Sequence, residues 1–266
     1  MFKTIQLTED NGVVWLTLNR PDKHNAMNLE MIHELINAAR RLSRRRDVLA
    51  VVILGEGASF CAGMDLAGIF SRPRDKFYAF TQLLRPTQGI FQRVNLIWRR
   101  LPMPVIALVH GHCYGAGLQL ALGADWIFAH RDSHLSLMEG KWGMVPDMGA
   151  TVTLRGRLAP DIAKELMCTA RILDATTAHS LGLVSHVYDD PKAAVLSLIN
   201  ELRLRSPDAV AATKRMIDRT WQDGAWHSLL TERYWQIRLL LGKNHAIAVN
   251  RNRKKDETPF QPRSLP

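Results

Sequence analysis

The stretch Val105-Ile106-Ala107-Leu108-Val109-His110-Gly111-His112-Cys113-Tyr114-Gly115-Ala116-Gly117-Leu118-Gln119-Leu120-Ala121-Leu122-Gly123-Ala124 decides the fold class. Pro102 and Pro104 close whatever helix precedes it, so the apolar run 105–109 reads as a strand. A glycine-rich turn, Gly115-Ala116-Gly117, comes next, then a small-residue helix to Ala124 and a short strand over 124–129. Strand, turn and helix in that succession make an α/β protein. The apolar stretch 106–129 carries glycines together with His110, His112, Gln119 and Asp125, which argues against a membrane span.

Working outward, 48–54 is continuously apolar between polar residues and Gly55, as a strand buried on both faces must be. Before it, Leu29, Ile32, Leu35, Ile36, Ala39 and Leu42 recur at helical spacing behind Asn28, a good N-cap, and the helix ends in an arginine-rich turn. Earlier still, Asp10-Asn11-Gly12 separates the runs 3–8 and 12–18 and predicts a hairpin. A polar stretch around 71–76 precedes an amphipathic helix expected over 87–100. Beyond Pro160 the pattern is helical over 161–169, 176–181, 191–205, 207–222 and 224–240, with only 183–188 strand-like. With no Gly/Ser/Pro-rich linker and no repeat, the economical division is a core over 1–190 and a helical C-terminal subdomain over 191–266.

The chain has 266 residues, 47% of them hydrophobic, enough for one sizeable core. Its three cysteines, Cys61, Cys113 and Cys168, form no CxxC, which speaks against a disulfide framework or zinc ribbon and for a reducing, cytoplasmic setting. Residues 1–10 hold no apolar segment of the secretory kind. The net charge of +10 suits a polyanion or a phosphate-bearing small molecule. Its basic runs lack interleaved aromatics and read as solvated helix ends, so nucleic acid is the less favoured partner.

Two glycine-rich turns could carry chemistry. Gly57-Ala58-Ser59-Phe60-Cys61-Ala62-Gly63-Met64-Asp65-Leu66 follows one buried strand and Gly115-Ala116-Gly117 another, and each exposes backbone N–H groups. Singly, each is equally a tight structural turn. Together they could form an oxyanion hole. The histidines lack metal-ligand spacing, so no metal is expected, and no GxSxG elbow supports serine-nucleophile chemistry.

These phrases, with Leu18-Asn19-Arg20-Pro21, Asn25-Ala26-Met27, Gly143 through Gly149, Thr169-Ala170-Arg171 and Leu181-Gly182-Leu183-Val184, resemble the crotonase, or enoyl-CoA hydratase/isomerase, superfamily over nearly the whole length. The resemblance implies a spiral of ββα units with a helical C-terminal trimerisation subdomain, assembling as homotrimers or hexamers. It implies an acyl-CoA substrate, with coenzyme A part of the substrate and no separate cofactor. By position, Met64 and Ala116 supply the oxyanion N–H groups, Ala116 standing where the family usually has glycine. His24, Ala26, Ala62, Asp65, Leu66, Tyr114, Gln119 and Trp142 fall at substrate-binding positions, the bulky residues between Phe70 and Phe91 near the acyl chain, and Lys254 and Lys255 near the CoA phosphates. Cys61 reads as a packing residue.

Hydratases of this superfamily hold one water between two glutamates, and here the positions are Gln119 and Glu139. Glutamine cannot take a proton from water. Dienoyl-CoA isomerases of the superfamily have a glutamate and an aspartate at the positions of Glu139 and Asp147, and an aspartate at that of Gln119. Asp147 could otherwise cap the following helix, and Glu139 could be a surface carboxylate. A dehalogenase places an aspartate at Asp147 but an aromatic at Glu139. The favoured expectation is double-bond isomerisation with Glu139 and Asp147 as the catalytic pair; hydration is the alternative. An RNA-binding homologue and a catalytically retired trimer are the rivals from other classes.

Overall fold

The computed structural model describes residues 2–254 and 257–265. Asn11 and Gly12 have φ of 49° and 77°, the left-handed pair a two-residue hairpin needs to match strand twist. Across them β1 (Ile5–Asp10) and β2 (Val13–Leu18) pair antiparallel, Asp10 opposite Val13. Helix α1 (Leu29–Leu42) starts at Asn28, whose side chain accepts the Met31 N–H at 2.8 Å, and buries the predicted stripe. Losing such a cap costs about 1 kcal/mol. Asn28→Ala is accordingly expected to lower the unfolding free energy by that amount, read as a lower denaturant midpoint at unchanged m-value; an unshifted midpoint would show the cap to be dispensable.

Next in the chain are β3 (Ala50–Gly55), α2 (Leu66–Phe70), α3 (Pro73–Leu83), α4 (Ile90–Arg99), β4 (Val105–Val109), β5 (His112–Tyr114) and α5 (Ala116–Leu122). They are followed by β6 (Trp126–His130), β7 (His134–Ser136), α6 (Ala150–Thr153), α7 (Pro160–Thr169), β8 (Leu173–Asp174), α8 (Ala175–Ser180) and β9 (His186–Tyr188). The C-terminal region is α9 (Pro191–Arg203), α10 (Pro207–Thr220), α11 (Ala225–Leu240) and α12 (Lys243–Lys254).

The large sheet runs β1-β2-β3-β4-β6-β9 and is parallel from β2 onward; the small sheet runs β5-β7-β8. Each turn of the chain lays one strand in the large sheet and one extended segment in the small one. Ile53, Ala107 and Ile127 thus stand side by side in the first. Cys61, Cys113, Leu135 and Leu173 do so in the second. This is the expected ββα spiral.

Both faces of the large sheet are covered, which is why its strands read as unbroken apolar runs. Leu16, Val51, Ile53 and Ala107 face α1 and α4, through Leu35 and Trp98 among others. Val13, Val52, Ile106 and Phe128 face Val195 and Ile199 of α9, the helix that opens the C-terminal region. Helix α10 is tied to the core by Lys214, whose ammonium lies 2.7 Å from a buried Asp125 oxygen that also accepts the Val105 N–H.

Several elements differ from the sequence expectations. Helices α2 and α3 lie in and around the stretch taken as polar, and β5 continues the strand-to-turn segment after Gly111. Helix α12 extends the C-terminal region past the last predicted helix. The basic runs are largely exposed, as expected, and two of their arginines are also paired. Arg45 pairs with Glu9 and Asp47, and Arg46 donates to the Arg263 and Ser264 carbonyls of the returning C-terminal segment.

Candidate active site

The two glycine-rich turns touch. The Phe60 and Cys61 N–H groups donate to the His110 and His112 carbonyls at 2.8 and 3.0 Å, and the Tyr114 N–H returns to the Cys61 carbonyl at 3.0 Å. A Cβ on Gly117 would lie 2.4 Å from that carbonyl oxygen, so only glycine permits the approach. Two neighbouring N–H groups are used, Asp65 on the Met27 carbonyl and Gly115 on that of Ser136. Among the described residues, the N–H groups of Met64 and Ala116 donate to nothing in the chain. That of Ala116 is unpaired because it begins α5. The arrangement offers two free backbone donors on adjoining turns, suited to receive an anionic oxygen.

Glu139 stands beside them, in a 3-10 turn over Met138–Trp142. A Cβ on Gly115 would come within 3.3 Å of Glu139 Oε1, so the residue before Ala116 makes room for the carboxyl. Oε1 accepts from Gln119 Nε2 at 2.7 Å, while Oε2 is buried with no partner among the described residues. An empty buried acceptor costs about 1–3 kcal/mol, and such exceptions gather where chemistry is done. Burial pushes the Glu139 carboxyl above its ordinary value, opposed by hydrogen bonds from its own backbone and from Gln119 and aided by the charge of Asp147.

Asp147 does not cap the following helix. Helix α6 begins after Gly149 with no side-chain cap bond. The residue is exposed on its loop, yet the protein crowded around the carboxyl withdraws enough water to raise it above the usual aspartate value. The charge of Asp147 acts on Glu139, which itself lies beside Gly115, and the two carboxyls sit in environments that differ.

The loop from Arg20 to Met27 is bound to the first turn. The Ala62 N–H donates to the His24 carbonyl at 2.9 Å and the Met27 N–H to that of Gly63 at 2.8 Å, which sets His24 and Ala26 alongside Ala62, Met64 and Leu66. Asp65 is engaged within the chain: one oxygen takes Arg20 Nη2 at 3.0 Å and the other the Gly68 N–H at 2.9 Å, capping α2. His24 and His112 each place Nδ1 3.2 Å from the Ser59 hydroxyl, and the Tyr114 ring lies 5.0 Å from that of His112. Trp142 ends the 3-10 turn 64% exposed. Burial pushes the Cys61 thiol up to about 12, consistent with a packing residue and unsuited to a nucleophile. His110 is held by the Gly57 carbonyl at 2.8 Å. Among the described residues no group of three or more His, Cys, Asp or Glu is placed to hold a metal ion. The side chain of Lys254 and the whole of Lys255 lie outside the described residues.

Sequence reasoning missed the roles of Arg20, which also donates to the Ala26 carbonyl, and of Asn95, whose Nδ2 donates to the Met148 carbonyl at 2.9 Å. Arg20 stands in a quoted motif and could have been found there. Asn95 shows only as a polar residue on the inner side of an amphipathic helix.

A spiral of this kind with this site defines the enoyl-CoA hydratase/isomerase family, and the chain belongs to it, matching over residues 8–238. Its relatives divide over the reaction. The chain is 35% identical over 222 residues to a human mitochondrial Delta(3,5)-Delta(2,4)-dienoyl-CoA isomerase, covering 80% of this chain and 68% of that protein. It is 34% identical over 224 residues to a probable enoyl-CoA hydratase of Mycobacterium tuberculosis, covering 84% of this chain and 85% of that one. A solved enoyl-CoA hydratase from Polaromonas sp. JS666 superposes with a TM-score of 0.87 at 28% identity, over 97% of this chain and 99% of its own.

Proposed function

We propose that the protein isomerises the double bonds of a dienoyl thioester of coenzyme A. The Met64 and Ala116 N–H groups form an oxyanion hole for the thioester oxygen, so that removing a proton from C2 of a 3,5-dienoyl chain gives a stabilised dienolate. The electrons shift along the chain to place double bonds at C2 and C4, and a proton is returned at C6. No atom is gained or lost and no electron leaves the substrate, so coenzyme A as part of the substrate is all the reaction requires.

One observation carries this reading: the neighbour of Glu139 is the Gln119 amide, where a hydratase needs a second carboxylate around one water. Asp147 supplies the second carboxyl instead. Burial and the charge of Asp147 both raise Glu139, whereas burial alone raises Asp147. One member of the pair serves as the base that takes the proton from C2 and the other as the acid that returns one at C6. Asp147→Asn is expected to cut dienoyl isomerisation by about 10²-fold. With the like charge gone, the Glu139 titration should also move to lower pH; an unchanged rate and titration would remove Asp147 from the pair. A panel of 2-enoyl, 3-enoyl and 3,5-dienoyl-CoA, with products separated by chromatography, tests the reading. Conversion of the dienoyl thioester supports it, and water addition to the 2-enoyl thioester as the main reaction replaces it by hydration.

Helix α3 follows the oxyanion turn through α2 and leaves Phe77, Phe80, Leu83 and Leu84 exposed, an apolar surface suited to the acyl tail. Helix α11 leaves Trp226, Leu229, Ile237 and Leu240 exposed, which favours self-association as a trimer or hexamer. Free thiols at Cys61, Cys113 and Cys168 fit a reducing, cytoplasmic compartment.

A further inference from the structure

Gln119 is where the chain departs from a paired-carboxylate site, and its surroundings define what it does there. It is 1% exposed, and both ends of its amide are used. Nε2 donates to Glu139 Oε1 at 2.7 Å, and Oε1 accepts the Met148 N–H at 3.0 Å. Met148 is held on its other side by Asn95, whose Nδ2 donates to its carbonyl. The amide of Gln119 thereby spans the carboxyl of Glu139 and the residue that follows Asp147. An amide nitrogen can only donate, so Glu139 Oε1 cannot carry the proton while this bond stands. The oxygen left to carry it is Oε2, buried and without a partner among the described residues.

We propose that Gln119 is a positioning residue for the proton transfer: its amide assigns the mobile proton to Glu139 Oε2 and ties Glu139 to the Asp147 loop, so that the two carboxyls keep one separation. The inference rests on the Glu139 and Asp147 reading above. A glutamate in place of Gln119, with the same reach, would set two like charges at hydrogen-bond distance and undo both effects. Gln119 itself touches neither C2 nor C6 chemistry, because both its polar atoms are taken.

The test is Gln119→Met, which keeps the chain length and removes both bonds. The Glu139 carboxyl is titrated by 13C NMR without substrate, its signal identified by absence from Glu139→Gln. Asp147 is the charged group that acts on Glu139. Of the elements packed around Glu139, α5 brings no titratable side chain, Tyr114 lies on β5, Lys141 on its own turn, and Asp161, Lys164, Glu165 and Cys168 on α7. The bond from Gln119 favours the charged carboxyl, so its loss is expected to move the titration to higher pH. Dienoyl turnover should fall at least about tenfold with the Michaelis constant changed by less than about threefold, as for a misplaced group that does not bind substrate. A titration that stays in place, or a change confined to the Michaelis constant or the melting temperature, overturns the inference. Should the variant not fold, the Gln119 Nε2 resonance of the wild-type protein must follow the Glu139 titration, and a pH-independent resonance is then the contrary result. If the wild-type protein hydrates 2-enoyl-CoA instead of isomerising, the reading above fails while the titration still decides the role of Gln119.

Discussion

Glu139→Gln is expected to lower dienoyl turnover by roughly 10²- to 10⁴-fold, the usual worth of a positioned acid or base, with substrate dissociation changed by less than about threefold. The substitution is nearly isosteric. Its side-chain carbonyl can still accept from Gln119 as Oε1 does now, so the local geometry is kept while the titrating group is lost. Substrate affinity should survive because the proposed thioester contacts are backbone N–H groups of Met64 and Ala116, which the change leaves alone. Single-turnover kinetics with a separate binding titration checks both halves. Wild-type turnover in the variant would remove Glu139 from the chemistry.

Ala116→Pro should cost about 10²- to 10³-fold in turnover, the loss expected when one oxyanion donor is removed. Proline deletes an N–H that donates to nothing among the described residues and does little else, since Ala116 is the first residue of α5, a position where proline is tolerated. Ala116→Gly keeps the N–H and should retain most activity, which separates loss of a donor from loss of a methyl group. Circular dichroism and the melting temperature establish that the proline variant is folded. An active, folded Ala116→Pro protein would contradict the donor role.

The parts of the fold legible in the sequence are those whose signals are local. Asn11-Gly12 marks the hairpin by its left-handed backbone, Asn28 marks the start of α1, and the unbroken apolar runs of β3 and β4 mark strands covered on both sides. Helix α3 was illegible because Phe77, Phe80 and Leu83 face outward, so no stripe points to the core. Helix α12 is polar throughout most of its length and lacks a stripe for the same reason. Strand β5 spans three residues, too few for any alternation to register.

The site divides in a similar way. Glu139, Asp147 and the two turns were visible as positions in a family pattern, and the structure brings Glu139 against Gly115 and leaves the Met64 and Ala116 N–H groups unpaired. The grip of Gln119 on the Met148 N–H joins a side chain to a backbone group 29 residues away, and no periodicity or motif encodes such a contact. What the sequence could say of Gln119 was negative, that it cannot move a proton. What it does instead depends on the surrounding three-dimensional arrangement.

The proposed chemistry runs through Glu139 and Asp147 as an isomerisation and not through a water held at Glu139. It is tested most directly by comparing kcat/KM of the wild-type protein on a 3,5-dienoyl-CoA and on a 2-enoyl-CoA of the same chain length, each assayed alongside Asp147→Asn. The dienoyl thioester is expected to be converted to its 2,4-isomer in preference to hydration of the 2-enoyl thioester, and Asp147→Asn to abolish the preference. Efficient formation of the 3-hydroxyacyl product by the wild-type protein, at a rate Asp147→Asn leaves untouched, would contradict it.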